Sequence, residues 1–154
     1  MAFHIVLVEP EIPANTGNIA RTCAATGTYL HLVRPLGFQT DDRTLKRAGL
    51  DYWHAVHVEY HDSFQELLDL HPQGRFFYTS TRATKVYSEI QFRDGDFFVF
   101  GKETKGLPQE LIEANLDSCI RMPMTDDVRS LNLSNTAAIL VYEALRQNRF
   151  PGLE

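Results

Sequence analysis

Apolar and polar positions follow one another in blocks along this chain, and the blocks predict buried strands separated by loops and helices. Residues 3–8 (FHIVLV) are a continuous apolar run rich in β-branched side chains, as expected of a strand covered on both faces. Glu9-Pro10-Glu11-Ile12-Pro13 breaks the run, and Asn15-Thr16-Gly17-Asn18 reads as a polar loop. A helix is predicted over residues 18–26, with Gly27 as its left-handed cap. Residues 30–33 predict a second strand, and Asp41 or Asp42 caps a basic helical turn over 43–48 that Gly49 closes. Further strands are predicted at 55–60, 75–78, 97–100 and 119–122. Asp62-Ser63 caps an amphipathic helix running through Leu70, with Phe64, Leu67 and Leu68 inward. A short helix is predicted from Pro108 to about residue 114. A last one covers 134–147, with Ala137, Ala138, Leu140, Val141 and Leu145 at helical spacing and Ser134 or Asn135 as cap.

Strand, loop and helix alternate throughout, so the predicted fold class is α/β: a parallel sheet with helices on both faces. At 154 residues, with no internal repeat, linker or low-complexity tract, the chain reads as a single domain spanning 1–154. Ligands in such sheets bind beyond the carboxyl ends of the strands. That rule directs attention to the loops after Tyr78, Phe100 and Met122.

The loop after Met122 carries Arg129, Ser130, Asn132, Ser134 and Asn135 within seven positions, directly above an apolar helix. Capping uses one or two such side chains, so the rest read as the floor of a binding site. In the loop Gly101-Lys102-Glu103-Thr104-Lys105-Gly106, glycines permit close approach of backbone to a flat ligand such as an adenine, with Glu103 as an orienting acceptor. The same residues also suit a surface turn with solvated charges. Near the start, Asn15 to Arg21 (NTGNIAR) either offers a helix N-terminus and a guanidinium fork to an anion or is a capped helix with Arg21 in solvent.

Composition narrows the chemistry. The chain is 44% apolar and 23% charged, and no apolar run reaches membrane-spanning length. With no signal-peptide charge pattern at the start, a cytoplasmic protein without a membrane anchor is expected. Cys23 and Cys119 lie far apart with no metal-type spacing and read as reduced core filler. A net charge of −5 disfavours a broad nonspecific nucleic-acid surface, yet Arg43, Lys46 and Arg47 cluster, as do Arg75, Arg82 and Lys85. His54, His57 and His61 lack a set of partner ligands in sequence, so no metal is expected. No thiol nucleophile with a partner and no G-x-S-x-G elbow appears. Asn, Ser, Arg and Glu on Gly-rich loops suit binding and alignment rather than covalent chemistry.

Together, N-x-G-N-x-x-R near the start, F-G-x-E-x-x-G-L-P in the middle and I-x-M-P-M…S-L-N-L-S-N…Y-E at the end form a specific set. It resembles the SPOUT superfamily of S-adenosylmethionine-dependent RNA methyltransferases, and within it the short tRNA (cytidine/uridine-34)-2′-O-methyltransferase group. The likeness covers essentially the whole chain, including Glu9-Pro10-Glu11-Ile12-Pro13 and Arg47-Ala48-Gly49-Leu50-Asp51-Tyr52. It implies a C-terminal deep trefoil knot, a homodimer, S-adenosylmethionine as cofactor without a metal, and the anticodon stem-loop of a tRNA as substrate. Carried over by position, Thr79, Gly101, Met122 and Ser130 hold the cofactor mainly through backbone groups, with Glu103, Gly106, Leu131 and Asn135 close by. Arg21, Asn15 and Asn132 fall at the catalytic positions. Lys102 departs from the Pro or Ser common in relatives, and the variable Thr79-Ser80-Thr81-Arg82 loop puts the Thr79 contact on its backbone. A SPOUT enzyme acting on another RNA position, or a module that binds without catalysis, are the competing readings.

Overall fold

The structure is a computed structural model that describes residues 2–40 and 43–154. Its seven strands pair in parallel throughout, in the order β3-β2-β1-β6-β4-β7-β5. β1 (His4–Val8) is central, with Ile5 to Val8 all buried, as its unbroken apolar run requires. Its alternate side chains enter two cores. Ile5 and Leu7 join Leu30, Leu32, Phe98 and Ile120 on one face, beneath Ile19, Ala20 and Cys23 of α1 (Pro13–Thr26). Ala137, Leu140 and Val141 of α5 (Leu133–Gln147) close the same core. Val6 and Val8 face the other way with Val33, Phe97 and Val99. That side is covered by Leu67 of α3 (Phe64–Leu70) and Ile112 of α4 (Gln109–Ala114). Cys23 and Cys119 are buried free thiols on opposite faces, and burial pushes both up.

Most elements stand where the patterning predicts them: β2 (Tyr29–Val33), β4 (Phe76–Thr79), β6 (Phe97–Phe100) and β7 (Cys119–Arg121). Ser63 caps α3 by accepting the Glu66 N–H at 3.1 Å. The differences are instructive. α1 begins at Pro13, not residue 18, because proline fits the first helical turn where its missing N–H costs nothing. Asn15, Thr16 and Gly17, read as a polar loop, are therefore buried helical positions. α2 (Arg43–Gly49) runs into a 3₁₀ segment, Leu50–Ala55, and Val56 N–H bonds Trp53 O at 3.2 Å. β3 (Val58–His61) therefore starts later than predicted, where Leu30 of β2 pairs with Val58. The expected Asp41 or Asp42 cap lies outside the described residues. β5 (Lys85–Val86), paired with β7, is too short for a period to register.

Candidate active site

The carboxyl ends of β4, β6 and β7 open into one cavity of about 1100 Å³. Thr79, Gly101, Glu103, Gly106, Met122, Ser130 and Leu131 all line it, together with Asn15 and Asn132. The three loops singled out from the sequence therefore converge, as a parallel sheet requires of loops that leave the same edge. Asn135 is not in the lining: it is exposed, and its N–H is held by Asn132 at 3.3 Å. Arg21 is also outside the lining, exposed on α1 with its guanidinium 5.0 Å over the Tyr52 ring.

Each loop has a distinct local cause. In the turn between Gly101 and Gly106, Gly106 N–H donates to Lys102 O at 2.8 Å, and Gly106 adopts φ +70°. A side chain at Gly101 would collide with the Gly106 and Leu107 backbone, so this glycine first serves closure of the loop on itself. Thr79 Oγ1 donates to Val99 O at 3.0 Å, which occupies its hydroxyl with the neighbouring strand. Met122 is buried at the end of β7, while the loop from 123 to 132 is largely exposed. Arg129 and Ser130 make no side-chain hydrogen bond to other described residues, which leaves both groups for a ligand.

A chain of hydrogen bonds ties the loops together. Glu103 accepts the Glu11 and Ile12 N–H groups, each at 2.9 Å, and the Asn15 amide at 3.2 Å. A carboxylate here meets the positive end of α1. Asn15 Oδ1 in turn accepts from the Asn132 amide at 3.1 Å. Asn132 Oδ1 then accepts from Ser134 N–H at 2.9 Å and caps α5. The cap is thus Asn132, not Ser134 or Asn135, because its side-chain oxygen lies below the free N–H groups of the first turn. Glu103, Asn15 and Asn132 are bonded to one another, so they set the relative positions of the three segments that meet at the cavity.

The sequence reading missed a second clasp. Glu11 Oε1 accepts from Thr104 N–H at 3.1 Å and from Thr104 Oγ1 at 2.8 Å, and these bonds hold the Glu11 carboxyl below the usual carboxylate range. Lys102 lies 3.6 Å from Glu9. The partners are about ninety residues apart, so no local pattern marks them. Tyr52 beneath Arg21 was likewise invisible as a pair.

Comparison with known proteins places this geometry. Residues 2–142 match the SpoU rRNA Methylase family. A provisionally named tRNA (cytidine(34)-2′-O)-methyltransferase of Bacillus subtilis (strain 168) is 60% identical over 157 residues, covering 100% of this chain and 98% of its own. The tRNA (cytidine(34)-2′-O)-methyltransferase of Saccharophagus degradans is 49% identical, covering 97% and 98%. A solved structure described as giving insight into 2-OH methylation of C/U34 on tRNA superposes with a TM-score of 0.91 at 46% identity, covering 96% of this chain and 97% of that one.

Proposed function

Because the chain belongs to the SpoU rRNA Methylase family, we propose that it is an S-adenosylmethionine-dependent tRNA 2′-O-methyltransferase that modifies the ribose of cytidine or uridine 34. The observation that carries this reading is the convergence of three loops on one cavity, clasped by Glu103, Asn15 and Asn132, in a chain matched end to end by relatives of that name.

The residues present fit the cofactor. Thr79, Gly101, Met122 and Ser130 line the cavity, and the Thr79 hydroxyl is already committed elsewhere. Met122 and Leu131 supply apolar wall for a flat base, and Gly101 and Gly106 keep the loop narrow. When bound, S-adenosylmethionine supplies an electrophilic methyl group on a sulfonium; the protein's work is to align the attacking 2′-hydroxyl and stabilise its charge. Asn15 and Arg21 share α1, six residues or about 9 Å apart along its axis, Asn15 in the cavity wall and Arg21 exposed outside it. Guanidinium groups stay charged and make poor bases, so Arg21 acts as an electrostatic stabiliser of the developing alkoxide. Asn132 holds Asn15, and Ser130 orients ribose or cofactor from the opposite loop.

The same reading assigns a homodimer and a C-terminal trefoil knot. Supporting the dimer, Ile139 and Tyr142 of α5 are 41% and 45% exposed, large apolar groups on a helix whose other side is core. Supporting the knot, β6 and β7 insert between earlier strands before α5 returns to pack on α1. Arg43 and Arg47, exposed on the helix packed against α1, offer contacts to RNA phosphates in an otherwise acidic chain. None of the helices in the described residues is long and apolar enough to cross a membrane, and a tRNA substrate supports a cytoplasmic location.

Incubation with methyl-labelled cofactor and total RNA, followed by mapping of the modified nucleotide, tests the proposal. Label on the ribose of tRNA nucleotide 34 is the expected result. Label confined to ribosomal RNA or another tRNA position, or no transfer, would overturn it.

A further inference from the structure

On the β1–β2–β3 side of the sheet, outside the cavity lining, histidines stand in a row. The register places Val6 beside His31, His31 beside Glu59 and Val33 beside His61, so side chains at these positions share one face. His4 Nδ1 lies 2.9 Å from His31 Nε2, and His31 Nδ1 lies 3.0 Å from His61 Nε2. Glu59 Oε2 is 3.4 Å from the same His31 Nδ1. His71, which follows α3, offers a ring nitrogen to this spot; the ligand atoms of His31, Glu59 and His71 all fall within 4.8 Å of one another. At the far end, His61 Nδ1 is buried without a hydrogen-bond partner, 3.9 Å from the Glu66 carboxylate.

We infer that His31, Glu59 and His71 bind a divalent transition-metal ion of the zinc class, with His61, outside that three-residue group but with Nε2 3.0 Å from His31 Nδ1, as fourth ligand. Imidazole and carboxylate are zinc's usual nitrogen and oxygen donors. Bonds of about 2.0–2.2 Å in a tetrahedron put ligand atoms about 3.3 Å apart, close to the His31–Glu59 and His31–His61 separations. His71 is only partly buried and ends a seven-residue helix, so its ring can close the remaining gap.

The outer shell agrees with that assignment. With Nδ1 of His31 on the ion, its Nε2–H donates to His4 Nδ1. With Nε2 of His61 on the ion, its Nδ1–H faces Glu66, which supplies the counter-charge that the orphaned nitrogen lacks. Ligating histidines are commonly oriented in this way. The ion would pin edge strand β3 and the end of α3 to β2, a structural role independent of methyl transfer.

The test uses untagged, full-length protein stripped with chelator. Zinc is titrated by calorimetry, and cobalt(II) by its visible ligand-field absorption. One ion per chain is expected, with the intense bands of tetrahedral cobalt and a Tm that rises with zinc and falls again with chelator. His71→Ala and Glu59→Gln, both at partly exposed positions, are each expected to weaken binding by at least the roughly 10-fold that losing an outer-shell partner costs. His54→Ala, on the exposed 3₁₀ segment, is expected to leave binding unchanged. Absence of saturable binding at micromolar zinc, or unchanged affinity in both the His71 and Glu59 variants, would overturn the inference.

Discussion

The carboxyl ends of β4, β6 and β7 and the histidine-lined face of β1, β2 and β3 belong to one parallel sheet, yet they dispose of polar groups in opposite ways. Beyond the strand ends the chain turns through solvent, so Arg129 and Ser130 keep hydrogen-bonding capacity for a ligand. Their loops are fixed from behind, by Glu103, Asn15 and Asn132. Beneath α3 there is no such freedom: His31 and His61 are buried and hydrogen-bond one another across strands. Burial depresses His4 to about 4, with neighbouring His71 and His57 adding repulsion against a second charge. A parallel sheet thus offers two kinds of polar site: an open one where strands end and a closed one where they pair. Reaction with a large RNA suits the first, and a captured ion suits the second.

If the division holds, substitutions at one end should leave the other unchanged. The largest effect is expected from Arg21→Ala: methyl transfer falling about 10²–10³-fold, the loss typical of one transition-state donor, with cofactor affinity and metal binding intact. Unchanged turnover under saturating tRNA would remove Arg21 from the chemistry. Glu103→Gln comes next, because a charged acceptor of three hydrogen bonds is replaced by an amide with one oxygen. A stability loss of about 1.5–3 kcal/mol is expected by denaturant unfolding, together with weaker cofactor binding and no change in zinc affinity. Ser63→Ala, which removes the α3 cap, is expected to cost about 1 kcal/mol and leave methyl transfer untouched. A drop in transfer with this variant would show that the two ends are coupled.

The smallest effect concerns the Glu11–Thr104 clasp. The folded carboxyl titrates below its unfolded value, so its contribution is present above the ordinary glutamate range and disappears as pH falls through the folded value. The stability difference between wild type and Thr104→Val is therefore expected to shrink on acidification; a gap that widens instead contradicts the sign.

How far the fold was legible depended on whether the deciding interaction was local. β1 and β6 announced themselves because strands buried on both faces need unbroken apolar runs. Gly27 marked the end of α1, where its left-handed φ of 70° is required. The start of α1 was hidden because Asn15 and Thr16 look like loop residues until Glu103 and Asn132 satisfy Asn15 within the fold. The cap of α5 was misassigned by two or three positions for a related reason: Asn, Ser and Asn are equally good caps in sequence, and only geometry selects Asn132. Most residues carried by a motif line the cavity, and Asn135 and Arg21 show that motif membership does not guarantee a place in its wall.

Periodicity, glycine placement and motif order were sufficient to determine an α/β sheet, its central strands, the three loops beyond their ends and the kinship with methyltransferases. Those features depend on neighbours within a few residues, or on types that only one backbone conformation accepts. The tertiary structure alone decided that Glu103, Asn15 and Asn132 form one connected clasp and that Arg21 stacks on Tyr52 outside the cavity. It also decided that His4, His31 and His61 meet across three strands. Such contacts join residues tens of positions apart, and strand register, which aligns them, is a property of the whole sheet.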